Sequence, residues 1–155
     1  RLLDAFAHLH RRHTDWHLVI LGEGPLRTEL EDRLMQHGLQ QCVAMPGAVA
    51  DIGAWYAQAD LYIMTSRFEG FGNTLAEALA YGVAGPREIL RHEVDGLLVP
   101  QDDARALEQA LDRLMGCSEL RARFAKRAIE ARERFAVEHV AAQWEQLFQS
   151  LRGRA

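Results

Sequence analysis

The stretch Leu61-Tyr62-Ile63-Met64-Thr65-Ser66-Arg67-Phe68-Glu69-Gly70-Phe71-Gly72-Asn73-Thr74-Leu75-Ala76-Glu77 decides how the rest of the chain is read. Leu61 to Met64 is a short apolar run with no polar alternation, which suits a strand buried on both faces. Glycines 70 and 72 follow it, and a helix then runs through to Tyr81-Gly82. Strand, glycine-rich loop and helix in that order form one βα unit of a parallel sheet.

The same grammar recurs on both sides. Leu2, Leu3, Phe6 and Leu9 lie at helical spacing, so the chain opens inside an amphipathic helix. No capping residue precedes it, which reads as a piece of a longer chain. His17 to Leu21 forms a strand stopped by Gly22. Pro25 opens a helix that buries Leu26, Leu30, Leu34 and Met35 and is closed by Gly38. Cys42 to Met45 is a second strand, ended by Pro46-Gly47. Asp51 caps a short helix carrying Ile52, Trp55 and Tyr56. Pro86 to Leu90 begins another helix, and Asp95-Gly96 turns into the strand Leu97 to Val99. Asp102 or Asp103 caps a helix that faces Leu107, Leu111 and Leu114 inward. Two helices finish the chain, about Glu119 to Arg134 and Val137 to Leu151. Alternation of this kind predicts an α/β domain with a doubly wound, Rossmann-like parallel sheet and C-terminal helices, one domain over residues 1–155. Ligands of such sheets sit at the carboxyl ends of the strands, which directs attention to Gly22-Glu23-Gly24, Gly47-Ala48-Val49 and Ser66 to Thr74.

Composition narrows the classes. With 155 residues, 48% of them hydrophobic, the chain can bury one core without disulfide staples. A net charge of −4 argues against a nucleic-acid partner, which calls for a basic surface. Cys42 and Cys117 share no motif and read as reduced thiols of a cytoplasmic protein. No apolar run approaches the length of a membrane span.

Glu69 to Glu77 carries the most chemistry. Glycines after a strand let the backbone approach a ligand, and the free N–H groups of the following helix start favour an anion such as a diphosphate. Glu69 and Glu77 cannot attract phosphate, but they can accept bonds from sugar hydroxyls. Thr74-Leu75-Ala76-Glu77 also fits a capping box in which Glu77 serves only the helix end, and Gly70 and Gly72 also suit a plain turn. Spacing alone leaves both readings open.

The run Glu69 to Glu77 resembles the E-x7-E signature of retaining glycosyltransferases of the GT-B fold, family 4, also called group 1. Leu18 to Leu26, Pro46-Gly47, Ala59-Asp60-Leu61, Gly85 to Leu90 and Asp95 to Pro100 match the same family in order, over nearly the whole chain. The resemblance implies the C-terminal, donor-binding half of a two-domain enzyme, on the cytoplasmic side or at the inner face of the membrane. It gives Glu69 the catalytic position beside the donor sugar. It places the diphosphate on the backbone of Phe71, Gly72, Asn73 and Thr74, with Gly70 and Leu75 as further substrate-binding residues, and the ribose on Glu77. Gly22 and Gly24 would let the first loop approach the donor phosphates, Glu23 is a further substrate-binding residue of that loop, and residues near Val49 would flank the base. It implies a nucleoside-diphosphate sugar as donor, a uridine diphosphate sugar first, with no metal or other cofactor. An N-terminal acceptor-binding domain would be the partner. In one respect the sequence departs from the pattern. The family has a buried strand and loop before its Gly-Pro-x-Glu element, whereas Gly82-Val83-Ala84-Gly85 joins two helices directly. A segment of about 8–12 residues is expected between Val83 and Gly85.

Other readings stand beside this one. Gly22-Glu23-Gly24 with Arg27 in place of a third glycine is a poor dinucleotide fingerprint. His8 and His10 point to different faces of a helix, which disfavours a metal site there, and His92 suits a helix end. Arg121, Arg123, Lys126, Arg127, Arg132 and Arg134 surround an apolar stripe of Leu120, Phe124, Ala128 and Ala131. They fit a solvated face or a peripheral contact with an anionic membrane. A binding module without transfer chemistry and half of a sugar-nucleotide epimerase remain as alternative functions.

Overall fold

The computed structural model describes residues 1–65, 90–134 and 136–152. They belong to two compact units, one of Arg1–Gln58 with Val99–Leu120, the other of Ala59–Leu98 with Arg121–Ala155.

The first unit holds the parallel pair. Helix α1 (Leu2–Leu9) buries Leu3, Ala5, Phe6 and Leu9, the periodic face read from the sequence, while Leu2 is half-buried at its edge. Strand β1 (Leu18–Leu21) leads to helix α2 (Arg27–Gln36), which returns the chain to β2 (Val43–Gly47). The strands run parallel, with Leu18 opposite Val43 and Leu21 opposite Gly47. An irregularity between Val19 and Leu21 shifts the register, so the carboxyl end of β1 meets the last residue of β2. Helix α3 (Ile52–Gln58) begins where the Asp51 carboxylate accepts from the Ala54 N–H at 3.1 Å, and it buries Tyr56. Helix α4 (Ala104–Gly116) is capped by Asp103, which accepts from the Ala106 N–H at 2.8 Å; Leu111, Leu114 and Met115 are buried on it. It packs on α1. Each fully buried Leu or Phe side chain of this kind contributes roughly 1.5–3 kcal/mol.

Around that core the α1–α4 pair is edged with charge. His13 Nε2 lies 2.7 Å from Asp112, Arg12 3.2 Å from the same carboxylate, and His8 3.4 Å from Glu108. A shallow depression of about 390 Å³ there is lined by Arg12, Arg105, Glu108, Gln109 and Asp112. Its walls include groups already paired, and residues 12 and 13 precede β1, away from the strand's carboxyl end. Asp4 lies between His37, whose Nε2 is 2.9 Å from its carboxylate, and Arg33 at 3.5 Å.

The second unit contains the turn at residues 91–96 and most of helix α5 (Ser118–Ala128), then α6 (Ala131–Arg134) and α7 (Val137–Arg152). Leu90, Phe124 and Ala128 are buried, Phe124 and Ala128 completely. Asp95 is also fully buried. Its carboxylate accepts from the Arg91 backbone N–H at 2.5 Å, from Arg91 Nε at 2.7 Å and from Arg134 Nη2 at 3.2 Å. Arg91 reaches on to Glu130 at 2.9 Å, which holds the Glu130 carboxyl below its ordinary range.

Several sequence expectations need correction. Pro25 and Leu26 form a turn, and α2 starts at Arg27. Of the four residues assigned to its buried face only Leu34 is buried; Leu26 is 61% and Met35 56% exposed. Leu26 precedes the first helical residue, and Met35 lies about 100° round the helix from Leu34. Residues 61–64 and 97–99 carry no β-ladder among the described residues, and Leu61 to Met64 and Leu97 to Val99 are half-buried. An apolar run specifies burial, but a strand also needs a partner in register for its N–H and C=O groups. The single helix expected over Glu119 to Arg134 is broken at residues 129–130. There the Arg127 carbonyl accepts from the Glu130 N–H at 3.2 Å and from Arg91 Nη2 at 3.4 Å. His92 lies in the turn rather than at a helix end, and its Nδ1 accepts from the Leu98 N–H at 2.9 Å.

Candidate functional site

Because β1 and β2 are parallel, the loops that follow them emerge at the same end. The chain leaves β1 at Gly22 with φ of +112°, a conformation that side-chain-bearing residues rarely adopt. The Gly22 N–H donates to the Gly47 carbonyl at 2.8 Å. Two stretches 25 residues apart in the sequence, Gly22-Glu23-Gly24 and Gly47-Ala48-Val49, are thereby brought side by side. Nothing lies within 4 Å of where a Cβ would project from Gly22 or Gly24, so the first loop presents bare backbone. Gly24 is exposed and Val49 half-buried.

Arg27, the first residue of α2, binds this corner together. Its Nη1 donates to Glu23 at 2.7 Å, its Nε to Glu31 at 2.8 Å, and its Nη2 to the Met45 carbonyl at 2.9 Å. These two carboxylates raise the guanidinium pKa above its usual range, the bond to Glu23 most of all. The Glu23 carboxylate lies over Gly47, where an added Cβ would collide with it. Gly47 itself has φ of +86°. Among the expected binding residues, Gly22, Glu23, Gly24 and Val49 therefore gather at one corner of the sheet. Glu69, Gly70, Phe71, Gly72, Asn73, Thr74, Leu75 and Glu77 lie outside the described residues, as does the junction of Val83 with Gly85.

Sequence reading missed Arg27 because it was seen only as the residue standing where a dinucleotide fingerprint has glycine. Its signal was present, with glutamates four residues before and four after. Cys42 is buried and Cys117 half-buried, both free thiols; burial pushes the Cys42 thiol up. Among the described residues no three His, Cys, Asp or Glu side chains converge as a metal site requires.

A parallel βαβ pair with glycine loops at its carboxyl corner is the arrangement in which open α/β sheets present their ligand-binding loops. Residues 1–131 match the family model described as glycosyl transferases group 1, and the chain belongs to that family. An exopolysaccharide phosphotransferase of Streptomyces coelicolor is 37% identical over 98% of this chain and 17% of its own length. The C-terminal domain of a glycosyl transferase group 1 family protein of Francisella tularensis superimposes with a TM-score of 0.78. It is 28% identical, covering 86% of this chain and 76% of that one. The Anabaena protein HepE, in complex with UDP, gives a TM-score of 0.82 at 25% identity, over 96% of this chain and 44% of that one. The fold is thus the Rossmann-like α/β domain of GT-B glycosyltransferases. The chain spans 17% to 42% of the length of the first two curated relatives it matches.

Proposed function

We propose that this chain is the donor-binding half of a retaining glycosyltransferase of family 4, which moves a sugar from a nucleoside-diphosphate sugar to an acceptor held by another domain. The observation that carries the reading is the corner where Gly22 and Gly47 join two loops at the carboxyl ends of parallel strands, with open space over Gly22 and Gly24. Bare backbone there admits close approach by a phosphorylated ligand. UDP bound to HepE supports a uridine diphosphate sugar as donor. In this reading Glu69 holds the sugar for transfer, residues 71–74 receive the diphosphate, Glu77 takes the ribose hydroxyls, and Val49 flanks the base. The reaction needs no metal or organic cofactor. Both reactants must be placed precisely for catalysis, so the isolated chain binds donor without turnover.

The test is calorimetric. UDP should bind more tightly than uridine to the full protein, and Glu77→Ala should cost about 1–3 kcal/mol of UDP affinity. A Glu77→Ala variant with lowered melting temperature and unchanged affinity would instead assign Glu77 to the capping box. A second reading, a sugar-nucleotide-binding module without transfer chemistry, draws on the Streptomyces phosphotransferase, of which this chain matches only 17%. Retained turnover in the full protein, lowered in kcat by Glu69→Ala, excludes it.

We also place the full protein on the cytoplasmic side. Arg123, Lys126 and Arg127 are exposed on α5 and are suited to peripheral contact with an anionic surface. Among the described residues no helix is long and apolar enough to cross a membrane.

A further inference from the structure

The donor reading assigns no role to Arg27, yet its side chain bonds the first loop of the candidate site and the strand that leads into the second. It bonds the Glu23 carboxylate in the first loop and the Met45 carbonyl at the carboxyl end of β2, 18 residues further along. The Arg27–Met45 bond is part-buried, whereas Glu23 and Glu31 are exposed. The planar fork of a guanidinium serves three acceptors in three directions; an ammonium on a flexible stem cannot hold that geometry. Glu23 is drawn by Arg27 to lie above Gly47, where a Cβ would have to push the carboxylate aside. The Gly22–Gly47 backbone bond lies between these contacts.

We propose that Arg27 is a positioning residue: a latch that fixes the Gly22–Gly24 loop against the Gly47–Val49 loop before donor arrives, and so sets nucleotide affinity without touching the nucleotide. The proposal rests on the donor reading above. Pre-organised loops spare the ligand the cost of ordering them, so loosening the latch weakens binding without removing a ligand contact. Exposed ion pairs add little stability, and the fold should survive its loss.

The experiment compares wild type, Arg27→Ala, Arg27→Lys and Glu31→Ala in the full protein, with UDP as the probe. Two quantities are read: UDP affinity by calorimetry, and hydrogen exchange of the Gly22 amide without ligand. Arg27→Ala should weaken UDP about five- to tenfold and speed Gly22 exchange, with the far-ultraviolet spectrum unchanged. Arg27→Lys should not rescue either quantity. Glu31→Ala, which removes a carboxylate that touches neither loop, should behave as wild type. Unchanged Gly22 exchange in Arg27→Ala overturns the latch. Faster exchange with wild-type UDP affinity overturns its role in binding. If wild-type protein binds no UDP, the donor reading falls instead, and the exchange result still shows whether Arg27 holds the loops.

Discussion

Two clusters of the molecule are built on the same local device, an arginine with a carboxylate four residues away, and put it to opposite ends. In the first unit Arg27 pairs with Glu23 and Glu31, all with exposed or half-exposed side chains, beside glycines with open space above them. In the second, Arg91 pairs with Asp95, which has no exposed surface, and Arg134 and the Arg91 backbone N–H occupy the rest of its carboxylate. A fully buried carboxylate that accepts three bonds from its own unit is closed to a ligand by its burial, and its consequence is stability of the 91–96 turn. An exposed pair beside bare backbone contributes little stability and can be spared for positioning. Burial, rather than the identity of the pair, separates a structural cluster from a site.

The comparison predicts its largest effect at Asp95. Asp95→Ala leaves two arginines facing a buried cavity and should destabilise the protein by about 3 kcal/mol. Chemical denaturation of the full protein measures it. Glu23→Ala, the matching change at the other cluster, should fall within about 0.5 kcal/mol of wild type. Equal losses at the two positions would break the distinction.

Gly47 should give an intermediate effect. Alanine there must adopt φ of +86° and meet the Glu23 carboxylate, so Gly47→Ala should cost about 2 kcal/mol. Adding Glu23→Ala removes the collision and leaves the backbone strain. The double variant should recover about 0.5–1 kcal/mol, read as a coupling energy in a double-mutant cycle. Strict additivity would mean that the Glu23 carboxylate yields to the methyl group without cost, and that the Glu23–Arg27 pair does not hold it over Gly47.

Legibility in the sequence followed the same division. Periodicity marked α1 and α4 because Leu3, Phe6, Leu9, Leu111 and Leu114 repeat at the helical period and are buried. Caps were legible because Asp51 and Asp103 bond amides only three residues away. The strands β1 and β2 were found, and with them the corner where Gly22 and Gly47 meet. Arg27 was not found, because its bond to the Met45 carbonyl depends on two strands being adjacent, which no local pattern encodes. Asp95 was read as a turn residue for the same reason; Arg134, which completes its shell, lies 39 positions away. Leu61 to Met64 was over-read because apolar composition states how much surface wants burial and says nothing about which strand lies beside it.

Gly24 should show the smallest effect on stability and decides most about function. Its backbone does not lie in the left-handed region, and nothing approaches within 4 Å of an added Cβ. Alanine loses less backbone entropy on folding than glycine, so Gly24→Ala should leave stability unchanged or raise it by about 0.5 kcal/mol. If the open space above Gly24 is where donor phosphate comes to rest, the same methyl group stands in the ligand's path. UDP affinity should then fall by about tenfold while the melting temperature holds, since a close backbone approach of the kind glycine permits is lost. The pairing of a null result in stability with a clear loss in binding separates a ligand-facing glycine from a turn glycine, whose substitution shows the reverse. Calorimetry and thermal melting on one preparation of the full protein read both. Unaltered UDP affinity would move the donor away from the β1 loop and leave Arg27 holding two loops that no nucleotide touches.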